Sequence, residues 1–468
     1  MTTTRIPRSS EPDEAVDVLT SPPAARAQIS DGGLAHRPGR WIDGWDPENP
    51  EQWGSVGRPI ARRNLWLSIF AEFLGFAVWA LWSIVVPQLN GVGFDLSVNE
   101  MFWLVSTPAL VGATLRIPYT FAVPRFGGRN WTIVSALLLL LPTAALAWAV
   151  NHPELPFVAL VGIAALAGVG GGNFASSMAN ISFFFPAKEK GAALGLNAAG
   201  GNLGTAAVQL AVPIVITIGA GVSLDRAGLM FIPLALLAAV LAWRSMDNLS
   251  NAKSDPRAYA AALRHPHTWI LSFIYIGTFG SFIGYSATFP TLLKNLFPAV
   301  TISLAFMGAL VGSLARPFGG YLSDRIGGAV VTCASFVAMA IGAVGGIVGL
   351  QAQSFPIFFL SFLWLFVFTG IGNGSVYRMI PAVFSGTAGG DPVSLTAAGR
   401  AAAGCIGIAG AVGAFGGFLV PQGFALSRTI TGDLQAALGV MVAVYLLMLG
   451  VTWFVYLRRG SRLAALKV

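Results

Sequence analysis

Arg116 and Arg316 stand 200 positions apart, each inside a stretch otherwise apolar enough for a bilayer interior. Each is followed nine residues on by a second arginine (Arg125, Arg325) and then by a glycine pair, Gly127-Gly128 and Gly327-Gly328. A guanidinium at membrane depth costs about 2.5–3.5 kcal/mol on insertion scales, and no acidic residue in the same stretches offsets it. The chemistry open to such a group is capture of a small oxyanion. Guanidinium is planar, permanently charged and able to give two parallel hydrogen bonds. A lone arginine could instead snorkel to the surface two turns away, but two at repeat-equivalent positions favour an anion site shared by two halves.

A second set of groups is polar and uncharged. In Gly168 to Pro186, GVGGGNFASSMANISFFFP, the residues Asn173, Ser176, Ser177 and Asn180 recur at i, i+3, i+4 and i+7, hence on one helix face. That face is expected to line a polar path and to avoid lipid. Gly168, Gly171, Gly172 and Ala175 remove bulk, so a neighbouring helix or a substrate can approach the backbone. Gly370 to Phe384, GIGNGSVYRMIPAVF, repeats the theme with Asn373 and Ser375, and Gly372-Asn373 falls 200 residues after Gly172-Asn173. An internal duplication of that period implies two similar halves. Glu72 is the one acid placed within an apolar span. It is either a proton carrier, the default for an intramembrane acid, or a hydrogen-bond partner of a neighbouring helix near the surface, nine residues from Arg63. Arg378, whose repeat equivalent is Met178, reads as structural or gating.

These groups must be positioned by membrane helices. Charged residues are 10% of the 468 and hydrophobic ones 55%, far from a soluble composition. Apolar runs predict twelve spans, at 65–88, 101–123, 131–150, 157–185, 190–219, 228–245, 268–290, 302–322, 328–350, 355–384, 398–425 and 435–457. The net charge of +8 does not point to nucleic acid, because the basic residues fall in alternate loops. Arg62, Arg63, Arg125, Arg129, Lys188, Lys190, Arg244, Lys253, Arg257, Arg264, Arg325, Arg400, Arg458, Arg459 and Arg462 share one side; the other holds Arg226, Lys294 and Arg428. Both termini are therefore expected on the cytoplasmic side. Cys333 and Cys405 lie inside spans, without a disulfide or metal spacing. The four histidines lie outside spans, and no catalytic triad or metal cluster can be drawn, so an enzyme is disfavoured and neither metal nor cofactor is expected.

Residues 1–60 are polar, lack the apolar core of a signal peptide, and are expected to be unstructured over 1–40. Trp41, Trp45 and Trp53 read as a segment packed on the inner face of the bundle. Then come an N-terminal six-helix half (61–245), an interhalf linker (246–267), a C-terminal half (268–458) and a tail (459–468). Spans 5 and 11 carry glycine stripes, which suit helices that slide or bend. Asn202 in span 5 can donate to an anion from its amide. Tyr275 and Phe279 in span 7 share a face, as packing or as a ring pair for a flat ligand.

GGGNFASSMANISFFFP and GIGNGSVYRMIPAVF resemble the two signatures of the nitrate/nitrite porters, the NarK-type branch of the major facilitator superfamily. WDPENPEQW, RRNLW, FGGRNWT, ALGLN, YIGTFGSFIG and LSDRIGG extend the similarity from Trp45 through the final span. The resemblance implies an all-α membrane fold of twelve transmembrane helices in two pseudo-symmetric halves. It also implies a substrate pocket of Arg116, Arg316, Phe174, Asn202, Tyr275 and Phe279, the rings of Phe174 and Phe279 lying above and below the anion. The expected function is nitrate/nitrite antiport by alternating access. The partners are nitrate, nitrite and the lipid of a cytoplasmic membrane, with no nucleic acid, and the chain is expected to be monomeric. Glu72 departs from the pattern of exchangers and keeps proton-coupled symport open as the alternative. A non-transporting nitrate sensor would need an output domain, for which the polar N-terminus is the one soluble segment. The acidic cytoplasmic motif of the superfamily stands in the second half as Asp324-Arg325, but the first half has Pro124-Arg125.

Overall fold

The computed structural model describes residues 28–30, 33–219, 221–253, 255–459, 463–464 and 468. Eleven helices among them are long and apolar enough to cross a membrane. They are span 1 (Pro50–Val92), span 3 (Gly128–Ala149), span 4 (Phe157–Phe184), span 5 (Ala187–Val215), span 6 (Asp225–Ser245), span 7 (Pro266–Leu296), span 8 (Ile302–Ile326), span 9 (Gly328–Gln351), span 10 (Phe355–Thr387), span 11 (Pro392–Thr431) and span 12 (Gln435–Leu457). The twelfth, span 2 (Val98–Thr120), is the helix that carries Arg116; the charge, Glu100 and the polar residues of its first and last turns dilute its hydropathy, yet it packs between spans 4 and 11. Its start is fixed by a capping box, Ser97 accepting from the Glu100 amide while Glu100 accepts from Ser97.

The repeat seen in the sequence recurs in the backbone. Gly127 and Gly327 both have positive φ, at 88° and 94°, a conformation that costs glycine nothing. Each turns the chain from an arginine-bearing span into the next helix. The adjacent Gly128 and Gly328 abut the two signature helices, Gly128 against the Asn180 amide and Gly328 against Met379 and the Ser375 backbone. The signature glycines likewise permit backbone-close crossings: a methyl on Gly168 would stand 2.9 Å from the Gly112 nitrogen, and one on Gly374 would stand 2.8 Å from the Gly320 nitrogen.

Span 7 is interrupted by a π-helical turn, Ile276–Gly280, which contains Phe279. Such single turns recur at functional sites because they re-aim side chains that a regular helix would send elsewhere.

The N-terminal segment differs from expectation. Residues 28–43 supply three strands, β1 (Gln28–Ser30), β2 (Leu34–Arg37) and β3 (Trp41–Asp43), joined antiparallel, and β3 pairs in parallel with β4 (Asn248–Leu249) from the interhalf linker. The unstructured segment expected over 1–40 is thus corrected for 28–30 and 33–40, while 1–27 and 31–32 lie outside the described residues. Asp247 explains why the segment is held. Its buried carboxylate accepts from Arg40 (2.7 Å), Arg63 (2.6 Å) and Asn64 (2.8 Å), and its amide donates to Asn64 (2.8 Å). Two cations and the Asn64 amide satisfy a charge that would otherwise be costly to bury. The tryptophans behave as expected: Trp45 and Trp53 are buried edge-on against Phe184 and Phe185 at the end of span 4.

Candidate functional site

Arg116 and Arg316 are buried, and both reach the ring of Phe279. The Arg116 guanidinium carbon lies 5.1 Å from that ring's centroid and the Arg316 carbon 5.9 Å. Arg116 also lies 4.5 Å from Phe174 and 5.6 Å from Trp79, so three aromatic faces surround it. Its Nε donates to the Gly171 carbonyl (3.2 Å) and its Nη1 to the Gly410 carbonyl (2.6 Å), while its Nη2 has no partner among the described residues. Arg316 donates from Nη2 to the Tyr275 hydroxyl (3.4 Å) and lies 5.0 Å from the Tyr377 ring, with Nη1 unpartnered. Neither arginine has a carboxylate at ion-pair distance among the described residues. Two desolvated cations with spare donors therefore face the middle of the bundle, an arrangement suited to one small anion.

The aromatic residues are assembled around them. Phe279 stacks on Tyr275 (5.1 Å, 13°) and on Phe174 (6.2 Å, 27°), and Tyr275 leans on Tyr377 (5.0 Å). Because Phe174 and Phe279 lie against each other here, a planar ligand entering between them must part the rings. A cavity of about 330 Å³ begins at Arg116, Phe174 and Tyr377 and reaches Lys190, Lys253 and Arg400 on the face that carries the sheet and most of the basic loops. The opposite face is shut by contacts between the halves. Trp103 meets Phe418, Phe102 stacks on Phe424, Gln422 donates to Ser106 (2.8 Å) and Asn99 to Thr429 (2.7 Å).

Residues 65–421 match the family model of the Major Facilitator Superfamily. The chain belongs to that superfamily. Within it, this superfamily member is 40% identical over 448 residues to the nitrate/nitrite transporter NarU of Salmonella typhimurium, covering 90% of this chain and 97% of that protein. It is 36% identical over 452 residues to the probable nitrate/nitrite antiporter NarK2 of Thermus thermophilus, covering 90% and 98%. These relatives place it in the nitrate/nitrite porter branch. Its fold is that of solved members such as the D-xylose-proton symporter (TM-score 0.64, 16% identity, covering 84% of this chain and 97% of that one). A partially occluded inward open structure of the xylose transporter XylE from E. coli gives a TM-score of 0.65 at 14% identity, covering 85% and 98%.

The superfamily member places its signature residues differently from the polar path expected along Asn173, Ser176, Ser177 and Asn180. The face of span 4 that lines the cavity carries Phe174, Ala175, Met178, Ala179, Ser182 and Phe183. The polar face turns the other way, into helix contacts. Ser177 bonds Ser68 (2.9 Å), Glu72 and Asn197 (2.7 Å); Ser176 donates to the Asn173 carbonyl (2.9 Å); Asn173 packs on Gly75 and Asn180 on Gly128. In the second half Ser375 donates to the Gly328 carbonyl (2.6 Å) and pairs with Thr332 (2.8 Å), while Asn373 is buried with both amide atoms unpartnered.

Glu72 is fully buried between spans 1, 4 and 5, accepting from Ser177 and from Asn197 (2.5 Å) and standing against Gly201. It interacts electrostatically with both arginines without pairing with either, and it does not line the cavity. Asn202 is buried with its amide oxygen unpartnered among the described residues, and it is absent from the cavity wall, as are Arg316, Tyr275 and Phe279, which stand behind the Arg116–Phe174–Tyr377 lining. Arg378, expected to be structural or gating, pairs with Asp324 at the basic face, and that pair ties span 10 to the acidic motif of the second half. Three participants were missed in the sequence: Trp79, Tyr377 and the Gly410 carbonyl. Tyr377 sits four residues after Asn373 within the second signature, which was the available signal; a main-chain acceptor leaves none.

Proposed function

We propose that the protein exchanges nitrate for nitrite across the cytoplasmic membrane by alternating access, with both termini on the cytoplasmic side and the halves 61–245 and 268–458 rocking about the arginine pair. The single observation that carries this reading is the pair itself: one guanidinium from each half, each with an amino group unpartnered among the described residues and both against Phe279, with Arg116 at the head of a cavity open to the basic face. Two buried cations with no carboxylate at ion-pair distance among the described residues make the empty site costly, so reorientation is easier with an anion bound, and obligatory exchange follows without a proton. The transport named for the NarU and NarK2 relatives supports the substrates.

The anion is held by Arg116 and Arg316, flanked by Phe174 and Phe279 once these part, with Tyr275 orienting Arg316. Bidentate guanidinium forks and flat rings suit a planar oxyanion and discriminate against tetrahedral ones. Asn202 joins the site as an amide donor in conformations where spans 5 and 7 come nearer. Glu72 belongs to the hydrogen-bonded packing of spans 1, 4 and 5, which places proton symport second.

Nitrate uptake into proteoliposomes tests the reading. Uptake that requires internal nitrite and is indifferent to an imposed proton gradient supports exchange. Gradient-driven uptake into anion-free vesicles that is lost in Glu72→Gln would overturn it in favour of symport.

A further inference from the structure

Beyond the arginine pair, on the side away from the basic face, lies a second polar cluster between the two halves. Ser83 of span 1 and Thr205 of span 5 face Ser286 of span 7 across a small cavity of about 20 Å³ whose wall includes Trp79, Val105 and Ala109. Trp79 is a partition. Its ring both carries Arg116, at 5.6 Å, and lines this cavity, and it is pinned by donation from Nε1 to the Pro108 carbonyl (2.7 Å). Gln209, fully buried, donates from Nε2 across the halves to the Ser286 carbonyl (2.7 Å) and within its own half to Ser83 (3.1 Å).

The cluster is under-satisfied. Among the described residues the Thr205 and Ser286 hydroxyls and the Gln209 amide oxygen have no partner, although the three residues are at most 3% exposed. Buried polar groups are nearly always paired, so these hydroxyls, which border the small cavity, call for a guest that bonds them: a water while the cavity is closed, a larger polar guest when it widens. The space holds about one water and no more. None of the four is duplicated in the other half: the positions 200 residues away are Ile283, Cys405, Ala409 and Val86. The cluster therefore serves one side of the path alone.

We infer that Thr205, Ser286 and Gln209 form a second, uncharged site for a small planar oxyanion, completed when the side away from the basic face opens and the Gln209 link to Ser286 is broken. This rests on the exchange reading above. Two hydroxyls and an amide can give an anion three hydrogen bonds without charge, holding it more weakly than the arginines do. An ion leaving past Trp79 is then passed to donors that release it readily, as efficient passage requires. The basic face needs no counterpart, since Lys190, Lys253 and Arg400 already line that mouth.

The test is sided. Nitrate/nitrite exchange is measured in right-side-out and inside-out membrane vesicles for the wild type, Thr205→Val, Ser286→Ala and Thr205→Ser. Each hydroxyl-less variant raises the half-saturation concentration for nitrate supplied from the outer face by roughly three- to tenfold, the effect of a lost hydrogen bond. The value from the cytoplasmic face stays unchanged, and Thr205→Ser behaves as wild type. Equal shifts on both faces, or no shift on either, would overturn the second site while leaving exchange intact. Absence of exchange in the wild type would instead defeat the underlying reading. Thr205→Val is nearly isosteric, and Ser286→Ala provides an independent variant should it fail to fold.

Discussion

Arg116 donates its Nη1 to the main-chain carbonyl of Gly410 at 2.6 Å, a hydrogen bond from the N-terminal half to span 11 of the C-terminal half. It lies at the head of the cavity, on the boundary between the two halves. Gly410 has no side chain there, and a methyl on it would stand 3.3 Å from the Tyr377 hydroxyl and 3.8 Å from Phe174. We expect Gly410→Val to fill this passage and lower exchange by about tenfold or more, with both arginines retained. Initial rates in proteoliposomes, normalised to folded protein, check this.

The packing of Trp79 gives a second expectation. A methyl on Gly171 would come within 2.6 Å of the Trp79 indole. Alanine is ordinarily the better helix former by about 1 kcal/mol, but here overpacking of about 1–3 kcal/mol should dominate. The Gly171 carbonyl would also shift away from Arg116 Nε. Gly171→Ala should therefore lower both the thermal midpoint in detergent and the exchange rate, whereas Gly191→Ala, where a methyl meets nothing within 4 Å, should lower neither.

Asp247 supplies a third. It is 2% exposed, while the side chains of Arg40 and Arg63 that pair with it are 37% and 43% exposed. Removing it leaves the Asn64 amide and two half-solvated cations to find water. We expect Asp247→Ala to cost about 1–3 kcal/mol and to release the N-terminal strands. Limited proteolysis between residues 33 and 57, together with the thermal midpoint, reports both effects.

Much of this was legible in the sequence because duplication prints itself there. The 200-residue offset paired Arg116 with Arg316 and Gly127 with Gly327; the two glycines share a positive φ, and the two arginines lie buried in spans 2 and 8. The polar face of span 4 was misassigned for a definite reason. Helical periodicity says that Asn173, Ser176, Ser177 and Asn180 share a face, not which neighbour that face meets; the neighbours proved to be Gly75, Glu72 and Gly128. Tyr377 was invisible to the repeat because its equivalent is Ser177. The sheet was invisible because its strands are at most four residues long, and β3 finds its parallel partner 207 residues away, Trp41 against Asn248.

The central claim is that Arg116 and Arg316 together hold the exchanged anion. It is tested most directly by nitrate/nitrite counterflow in proteoliposomes carrying wild type, Arg116→Lys or Arg316→Lys, each shown to be monodisperse and folded. Lysine keeps the charge but loses the planar fork, so counterflow should fall to background in both variants. Wild-type counterflow in either variant would contradict a shared two-arginine site.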